Sequence, residues 1–221
     1  MGDNTGKLLD SLKGWNLLTD NRIRQRGVTI IEVMIAIAIV AVLLMQGVPS
    51  FRTWLQNAGI RTAAESILNG LQLARAEAVK NNALVAFTLG TGSAWTVGCV
   101  VTDRDGDGNV DCPAIIQDRP ASDGTSKATI SLSEVDSTGA EVGASAFVGR
   151  VAFNGSGRVV TGTSNLSPST NGTYKVAMGN TSDTCVSAGG TMRCLRIIVT
   201  PGGQIRMCDP AFSQSTNPMG C

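Results

Sequence analysis

Hydrophobic residues fall along the chain in three successive patterns. The first is continuous. From Val28 to Met45 only Thr29 and Glu32 are polar, and from Val33 to Met45 every residue is apolar. With Gly47 and Val48 the stretch approaches the roughly 20 residues that cross a bilayer as a helix. The second pattern is periodic. Ile60, Ala64, Ile67, Leu71, Ala74 and Ala78 recur at three- and four-residue spacing, with Arg61, Glu65, Asn69, Gln72 and Lys80 mostly off that line. This predicts a helix over 52–80 that buries one stripe. Pro49 stands between the two patterns; it lacks an N–H and crowds the preceding turn, so a kink is expected there.

The third pattern is short and alternating. Candidate strands are 83–89, 95–102, 114–118, 128–135, 146–153, 157–161, 173–178, 194–200 and 204–208, separated by GTGS, NGSG and PGGQ. Apolar runs of this length between Gly-rich breaks read as strands and turns. Residues 162–172 and 180–192, rich in Ser, Thr, Gly and Asn, read as loops. The expected fold class is α+β: a long N-terminal helix packed on antiparallel β-sheet.

Charge refines the first pattern. Arg22, Arg24 and Arg26 precede the apolar run. Basic residues there keep that end in the cytoplasm, which gives a single-pass, N-in orientation. A secretory signal would place a small-residue cleavage site after its apolar core. Here the small residue, Gly27, comes before it, so a cut after Gly27 would leave the apolar helix on the mature chain. Glu32 then needs an account. An acidic residue deep in hydrocarbon costs about 2.5–3.5 kcal/mol on insertion scales, and a buried charge normally has a partner. The cut would create one, the α-amine of Val28. A neighbouring subunit could bring its own amine alongside Glu32 and so set the stagger of a helical polymer.

Composition removes several chemistries. The chain has no histidine, so Ser/His and Cys/His nucleophiles and Cys/His zinc sites cannot be built, and no spacing singles out a catalytic carboxylate pair. No enzyme is expected. Six cysteines, Cys99, Cys112, Cys185, Cys194, Cys208 and Cys221, behind an export-type N-terminus suggest disulfides. Pairing is not fixed by sequence. Bonding neighbours along the chain is preferred, since each bridge then closes a short loop. Formal net charge is only +1. Arg193, Arg196 and Arg206 lie on or beside the hairpin around Pro201-Gly202-Gly203, where they are either solvated surface or contacts for phosphate and DNA.

One acidic loop stands out, DRDGDGNVD at 103–111. Asp103, Asp105, Asp107, Gly108 and Asp111 occupy positions one, three, five, six and nine of an EF-hand loop, and Asn109 would offer a backbone carbonyl. Position twelve is Ala114 rather than the bidentate glutamate. The loop is either a weak Ca2+ site, which is the one cofactor expected at all, or an Asx/Gly turn joining two strands.

The stretch GVTIIEVMIAIAIVAVLLMQGVP (27–49) resembles the class III leader and spine of type IV pilins and type II secretion pseudopilins. In that family a prepilin peptidase cuts after Gly and methylates the new N-terminus; the fifth mature residue is Glu and the twenty-second commonly Pro. A cut after Gly27 places Glu32 fifth and Pro49 twenty-second. Val28 departs from the usual Phe, and the leader is long. LQLARAEAVKNN (71–82), FNGSGRVV and CLRIIVTPGGQIRMC resemble the FimT/FimU/GspH branch. The resemblance implies a pilin-like fold, with a leader (1–27, removed), a hydrophobic assembly half-helix (28–51) and a globular part (52–221) made of half-helix 52–80 and a disulfide-stapled β-domain 83–221. It implies a structural minor pilin that helps initiate or cap a type IV pilus. Its partners would be other minor pilins, the major pilin, the prepilin peptidase and a PilY-type tip adhesin. It would sit in the bacterial inner membrane before assembly and in the pilus, periplasmic or extracellular, afterwards. A GspH-like pseudopilin of a type II secretion system is the alternative, and a DNA-binding FimT-like pilin a further one; the Gly-Arg-x-Arg motif of the latter reads Gly203-Gln204-Ile205-Arg206 here.

Overall fold

A computed structural model describes residues 27–103, 105–123, 127–135, 149–160, 173–181 and 183–221; within the helix, the side chains of Gln46 and Pro49 lie outside the description. The leader, the loop at 162–172 and the first part of the candidate strand 146–153 therefore lie outside the described residues. The chain forms two compact units that meet in sequence at Gly47 and Val48.

The apolar run and the periodic stripe belong to one helix, α1, Ile30–Lys80. Helical structure continues through Pro49, whose expected kink rests on a side chain outside the description. In the first unit α1 carries its apolar residues uncovered: Ile30, Met34, Ile37, Leu43 and Met45 are all more than half exposed. No single helical segment among the described residues is long and apolar enough to cross a membrane; Ile30–Met45 and Ser50–Lys80 taken together are, by length and composition.

In the second unit the same helix buries the stripe that its sequence marks. Ile60, Ala63, Ala64, Ile67, Leu71, Ala74 and Ala78 are buried. Each buried Ile or Leu contributes about 1.5–3 kcal/mol of transfer free energy. The helix ends where Asn82 takes a left-handed conformation, φ 45°. The Ala83 N–H donates to the Ala78 carbonyl at 3.0 Å and the Asn82 N–H to the Val79 carbonyl at 3.3 Å. This is a Schellman stop, with Asn in the place usually held by Gly.

Two four-stranded antiparallel sheets follow. The first has the order β3-β2-β1-β5, from β1 (Val85–Leu89), β2 (Trp95–Cys99), β3 (Gln117–Arg119) and β5 (Arg150–Phe153). The second has the order β4-β6-β7-β8, from β4 (Ala128–Glu134), β6 (Tyr174–Asn180), β7 (Leu195–Val199) and β8 (Ile205–Cys208). The expected class, a helix on antiparallel sheet with disulfides, is what the chain forms. Of one expected strand, 157–161, the described residues 157–160 pair with β5 through a bridge between Phe153 and Val159 and a Val160 N–H donated to the Ala152 carbonyl at 2.9 Å; residue 161 lies outside the described residues. The loop at 180–192 holds a short 3-10 turn, Val186–Ala188.

Alternation along the strands aims Val85, Phe87, Trp95, Val97, Val151 and Phe153 of the first sheet, and Tyr174, Val176, Met178, Ile197 and Val199 of the second, into one core shared with the helix stripe. Three polar contacts fix how the layers meet. Trp95 Nε1 donates to Ser66 Oγ on α1 at 2.9 Å, buried. One turn further on, Gly70 lets the rings close in: a Cβ there would lie 2.8 Å from Phe87 Cε2 and 3.1 Å from Trp95. At the far end of the core the two sheets are tied together. The Val159 N–H donates to the Pro201 carbonyl at 3.1 Å, and Arg75 Nε on α1 donates to the Gly157 carbonyl at 3.2 Å.

Gly203 sits in this tie with φ +79°, and a Cβ on it would overlap the Gly157 carbonyl oxygen. Gly202 beside it faces open space. Gly203→Ala should therefore destabilise the second unit by about 2–4 kcal/mol, from the left-handed penalty and the unyielding backbone contact. Gly202→Ala should change stability by less than about 0.5 kcal/mol. Urea unfolding followed by Trp95 emission compares the two.

Candidate functional site

Gly27, Val28 and Glu32, expected to serve processing and assembly, lie at the start of α1. Gly27, Val28 and Thr29 are outside the helix, which begins at Ile30. Thr29 ends the non-helical segment as a cap: its carbonyl accepts the N–H groups of Glu32 at 3.1 Å and Val33 at 3.2 Å, and its Oγ1 stands 3.4 Å from the Glu32 nitrogen. Thr29-Ile30-Ile31-Glu32 has the spacing of a capping box, in which Ser/Thr opens a helix and Glu or Gln stands three residues on. The Glu32 carboxylate occupies the first turn, where the helix dipole favours negative charge. The expected reading gave Glu32 a partner on another subunit and overlooked this local role, although the T-x-x-E pattern is plain in the sequence. Val28 is 67% exposed, and a Cβ on Gly27 would meet nothing within 4 Å. The Gly27–Val28 bond is thus in irregular, open backbone. Nothing in the described fold of the chain itself demands glycine at position 27.

The acidic loop between β2 and β3 is held by its own turns. Asp103 Oδ1 accepts the Gly106 N–H at 2.7 Å and Oδ2 the Gly108 N–H at 3.0 Å, with both glycines at positive φ. Asp107 accepts the backbone and side-chain N–H groups of Asn109, both at 2.7 Å. These donors hold the Asp103 and Asp107 carboxyls below the usual carboxylate value, Asp103 through the Gly106 and Gly108 amides first, Asp107 through the Asn109 side chain first. Of the five residues expected around a cation, three converge: the carboxylates of Asp103, Asp105 and Asp111 offer oxygens within 4.8 Å of one another. Asp107 is turned to Asn109 instead. The loop is closed below by the Cys99–Cys112 disulfide, Cα–Cα 5.8 Å.

Two further bridges, Cys185–Cys194 and Cys208–Cys221, have Cα–Cα distances of 5.4 and 5.2 Å. The first closes the loop around the 3-10 turn, where Asp183 accepts from the Thr191 hydroxyl and, at 2.7 Å, from the Thr184 N–H. Those donors lower its carboxyl in the same way. The second ties the C-terminus beneath β8.

The three arginines do not form one patch. Arg196 and Arg206 pair with Cys208 and Ile198 across β7 and β8, on the face of the second sheet away from the core residues Ile197 and Val199. Arg206 is engaged with the Gly220 carbonyl and Gln214 Oε1, each at 3.3 Å. Arg193 lies on the helix side: its backbone N–H donates to Asn57 Oδ1 at 2.9 Å and its guanidinium sits 5.8 Å from the Phe212 ring centre. It borders a groove of about 570 Å³ between α1 and the C-terminal segment, lined by Trp54, Ala58, Arg61, Met207 and Met219 among others.

Known proteins bear on these sites in three ways. Residues 63–203 match the family model for type II transport protein GspH. Residues 22–45 match the prokaryotic N-terminal methylation motif, which contains Gly27, Val28 and Glu32. No curated protein matches the chain at a significant level. Among solved structures, two crystal forms of the Pseudomonas aeruginosa type IV minor pilin FimU are similar. One is 18% identical, covering 66% of this chain and 90% of that one, at a TM-score of 0.40. The other is 19% identical, covering 67% and 87%, also at 0.40.

The lowered carboxyls give a pH dependence with a definite sign. Asp103, Asp107 and Asp183 have folded values below the ordinary 3.8. Their contribution is present above about pH 4 and is lost as pH falls through the folded values. Thermal unfolding between pH 6 and pH 2.5 should show a falling midpoint below pH 4, and Asp103→Asn should make that fall shallower. An unchanged profile in the variant would show that the turn amides do not stabilise the charged form.

Proposed function

The chain belongs to the family of the type II transport protein GspH, and on that premise we propose that it is a structural minor pilin that helps start or cap a type IV pilus. It carries a prepilin-type methylation motif on an apolar helix, so membership of the minor pilin and pseudopilin class, with an N-terminal helical anchor, is established. The finer role is our reading. It is supported by one observation above the rest: the apolar half of α1 is exposed along its length, while the other half is buried in the second unit's core. A helix so divided is built to be covered by something outside its own chain.

In this reading the peptidase admits the open Gly27–Val28 segment and removes residues 1–27. The chain waits in the inner membrane, N-terminus inward. It then enters a bundle of pilin helices in which Glu32 meets the methylated amine of a neighbour, and the two-sheet unit faces outward to other minor pilins, the major pilin or a tip adhesin. No step requires catalysis by this chain. The GspH description equally suits a pseudopilin of a type II secretion system, with the same assembly chemistry in a short periplasmic filament. A DNA-uptake role has less support, since Arg206 is occupied by Gly220 and Gln214 and Arg193 lies away from Arg196.

Because Glu32 also stands in the first turn of α1 at capping-box spacing from Thr29, its charge and its place at the helix start need separating. Glutamine keeps the capping box but removes the charge. Glu32→Gln and Glu32→Ala should both leave the chain in the inner membrane and both lose it from sheared filaments, since removing one partner of a buried ion pair costs about 3–5 kcal/mol. Normal filament incorporation of Glu32→Gln, scored by immunoblot, would sink the ion-pair reading and leave only capping.

The second proposal for this chain is that Ca2+ can occupy the Asp103, Asp105 and Asp111 carboxylates. Opposite charge there would relieve their mutual repulsion in a loop already stapled by Cys99–Cys112. Millimolar calcium should raise the melting temperature relative to chelator, and Asp105→Asn should abolish the difference. Identical melting in calcium and chelator means that the loop is a turn and nothing more.

A further inference from the structure

Between the apolar run and the first buried residue, Ile60, α1 presents a strip that its own domain does not cover. Phe51 is 59% exposed, Trp54 62% and Leu55 49%. The Phe51 and Trp54 rings stack on each other, with centroids 5.9 Å apart and planes at 24°. Arg52 is exposed between them. Three features say what covers this strip before assembly. The first is position. Phe51, Arg52 and Trp54 follow within six residues of Val48, where the apolar run ends, so they stand where the chain leaves an apolar stretch of about the 20 residues that span a bilayer. The second is residue type. Tryptophan, with an apolar body and one N–H donor, is enriched at membrane–water interfaces, and arginine there keeps its stem in the apolar layer and its head in water. The third is charge. No acidic residue occurs from Val33 to Ala64, whereas Arg52 and Arg61 lie in that interval. Arg61 is matched by Glu65 at 2.9 Å, which leaves Arg52 as the charge facing outward beside the rings.

We propose that Phe51, Arg52 and Trp54 form an interfacial anchor that seats the globular unit on an anionic lipid surface, on the outer side of the inner membrane, until the subunit is drawn into a filament. This rests on the membrane-resident stage of the proposed function and adds to it a defined lipid contact. The strip would be released from lipid on assembly and become available to a neighbouring subunit.

Trp54 reports the contact directly. The full chain carrying Trp15→Phe is reconstituted into vesicles of phosphatidylglycerol and phosphatidylcholine, with lipids brominated either near the headgroup or near the chain ends. Trp95 is buried in the domain core and supplies a constant background. Emission should be quenched more by the shallow bromines than by the deep ones. The difference should vanish when Trp54→Phe is added, and Arg52→Gln should weaken it in anionic vesicles. Circular dichroism and Trp95 emission check that the variants are folded. A chain that floats with the vesicles but shows no Trp54-dependent quenching overturns the anchor while leaving membrane residence intact, and points to protein as the cover of the strip. A folded chain that does not float overturns both.

Discussion

Trp95 reaches from the first sheet to Ser66 on α1, over a helix surface that Gly70 keeps flat. Most of the rest of the globular unit depends on that contact. It lets the helix backbone at Gly70 lie close to Phe87 and Trp95 of the first sheet, on a stripe whose other small residues, Ala64, Ala74 and Ala78, share the same core. The same stripe also shares its core with Tyr174, Val176 and Ile197 of the second sheet. Small residues on the helix exchange side-chain volume for proximity, and the aromatic rings fill the space so made. The indole N–H is satisfied in the core by the Ser66 hydroxyl, so a large aromatic is buried without an orphaned donor.

From that contact the logic of the whole chain follows. Packing of an apolar face carries most helical stability in proteins, and α1, 51 residues long, divides that packing unevenly. Residues from Ile60 onward find that packing within their own chain. Residues before Val48 find none, and their apolar side chains are exposed around the helix. Membrane lipid and, after assembly, other subunits of the same class are the natural cover for them. The capping of Thr29 adds a boundary at the opposite end. It sets the first helical residue three positions beyond Gly27, so the Gly27–Val28 bond remains outside the helix.

Two sheets that share one core need something to hold their edges in register. Here the tie is polar and tight: Gly157, Pro201 and Gly203 meet under Arg75, which is exposed on its helix yet donates inward to the Gly157 carbonyl. Loop geometry elsewhere is fixed by covalent and Asx-type constraints. Each disulfide closes a short segment between near neighbours in sequence, and carboxylates of Asp103, Asp107 and Asp183 organise their own turns by accepting backbone or side-chain N–H and O–H groups.

Much of this was legible in the sequence because it depends on local periodicity and on short motifs. The three-and-four spacing from Ile60 to Ala78 marked the buried stripe, short apolar runs between Gly-rich breaks marked nearly every strand to within a few residues, and Gly27 and Glu32 marked the N-terminal methylation motif. The T-x-x-E start at Thr29 and the Asn82 stop were equally local and could have been read. What only the tertiary structure decided are relations between segments far apart in the chain: the partition of eight strands into two sheets, the Trp95–Ser66 bond across 29 positions, and the approach of Gly203 to Gly157. It also separated Arg193 from Arg196 and Arg206, which sequence proximity had grouped. The physical reason is that periodicity specifies which face of an element is buried, whereas the partner of that face is chosen by the packing of the whole core.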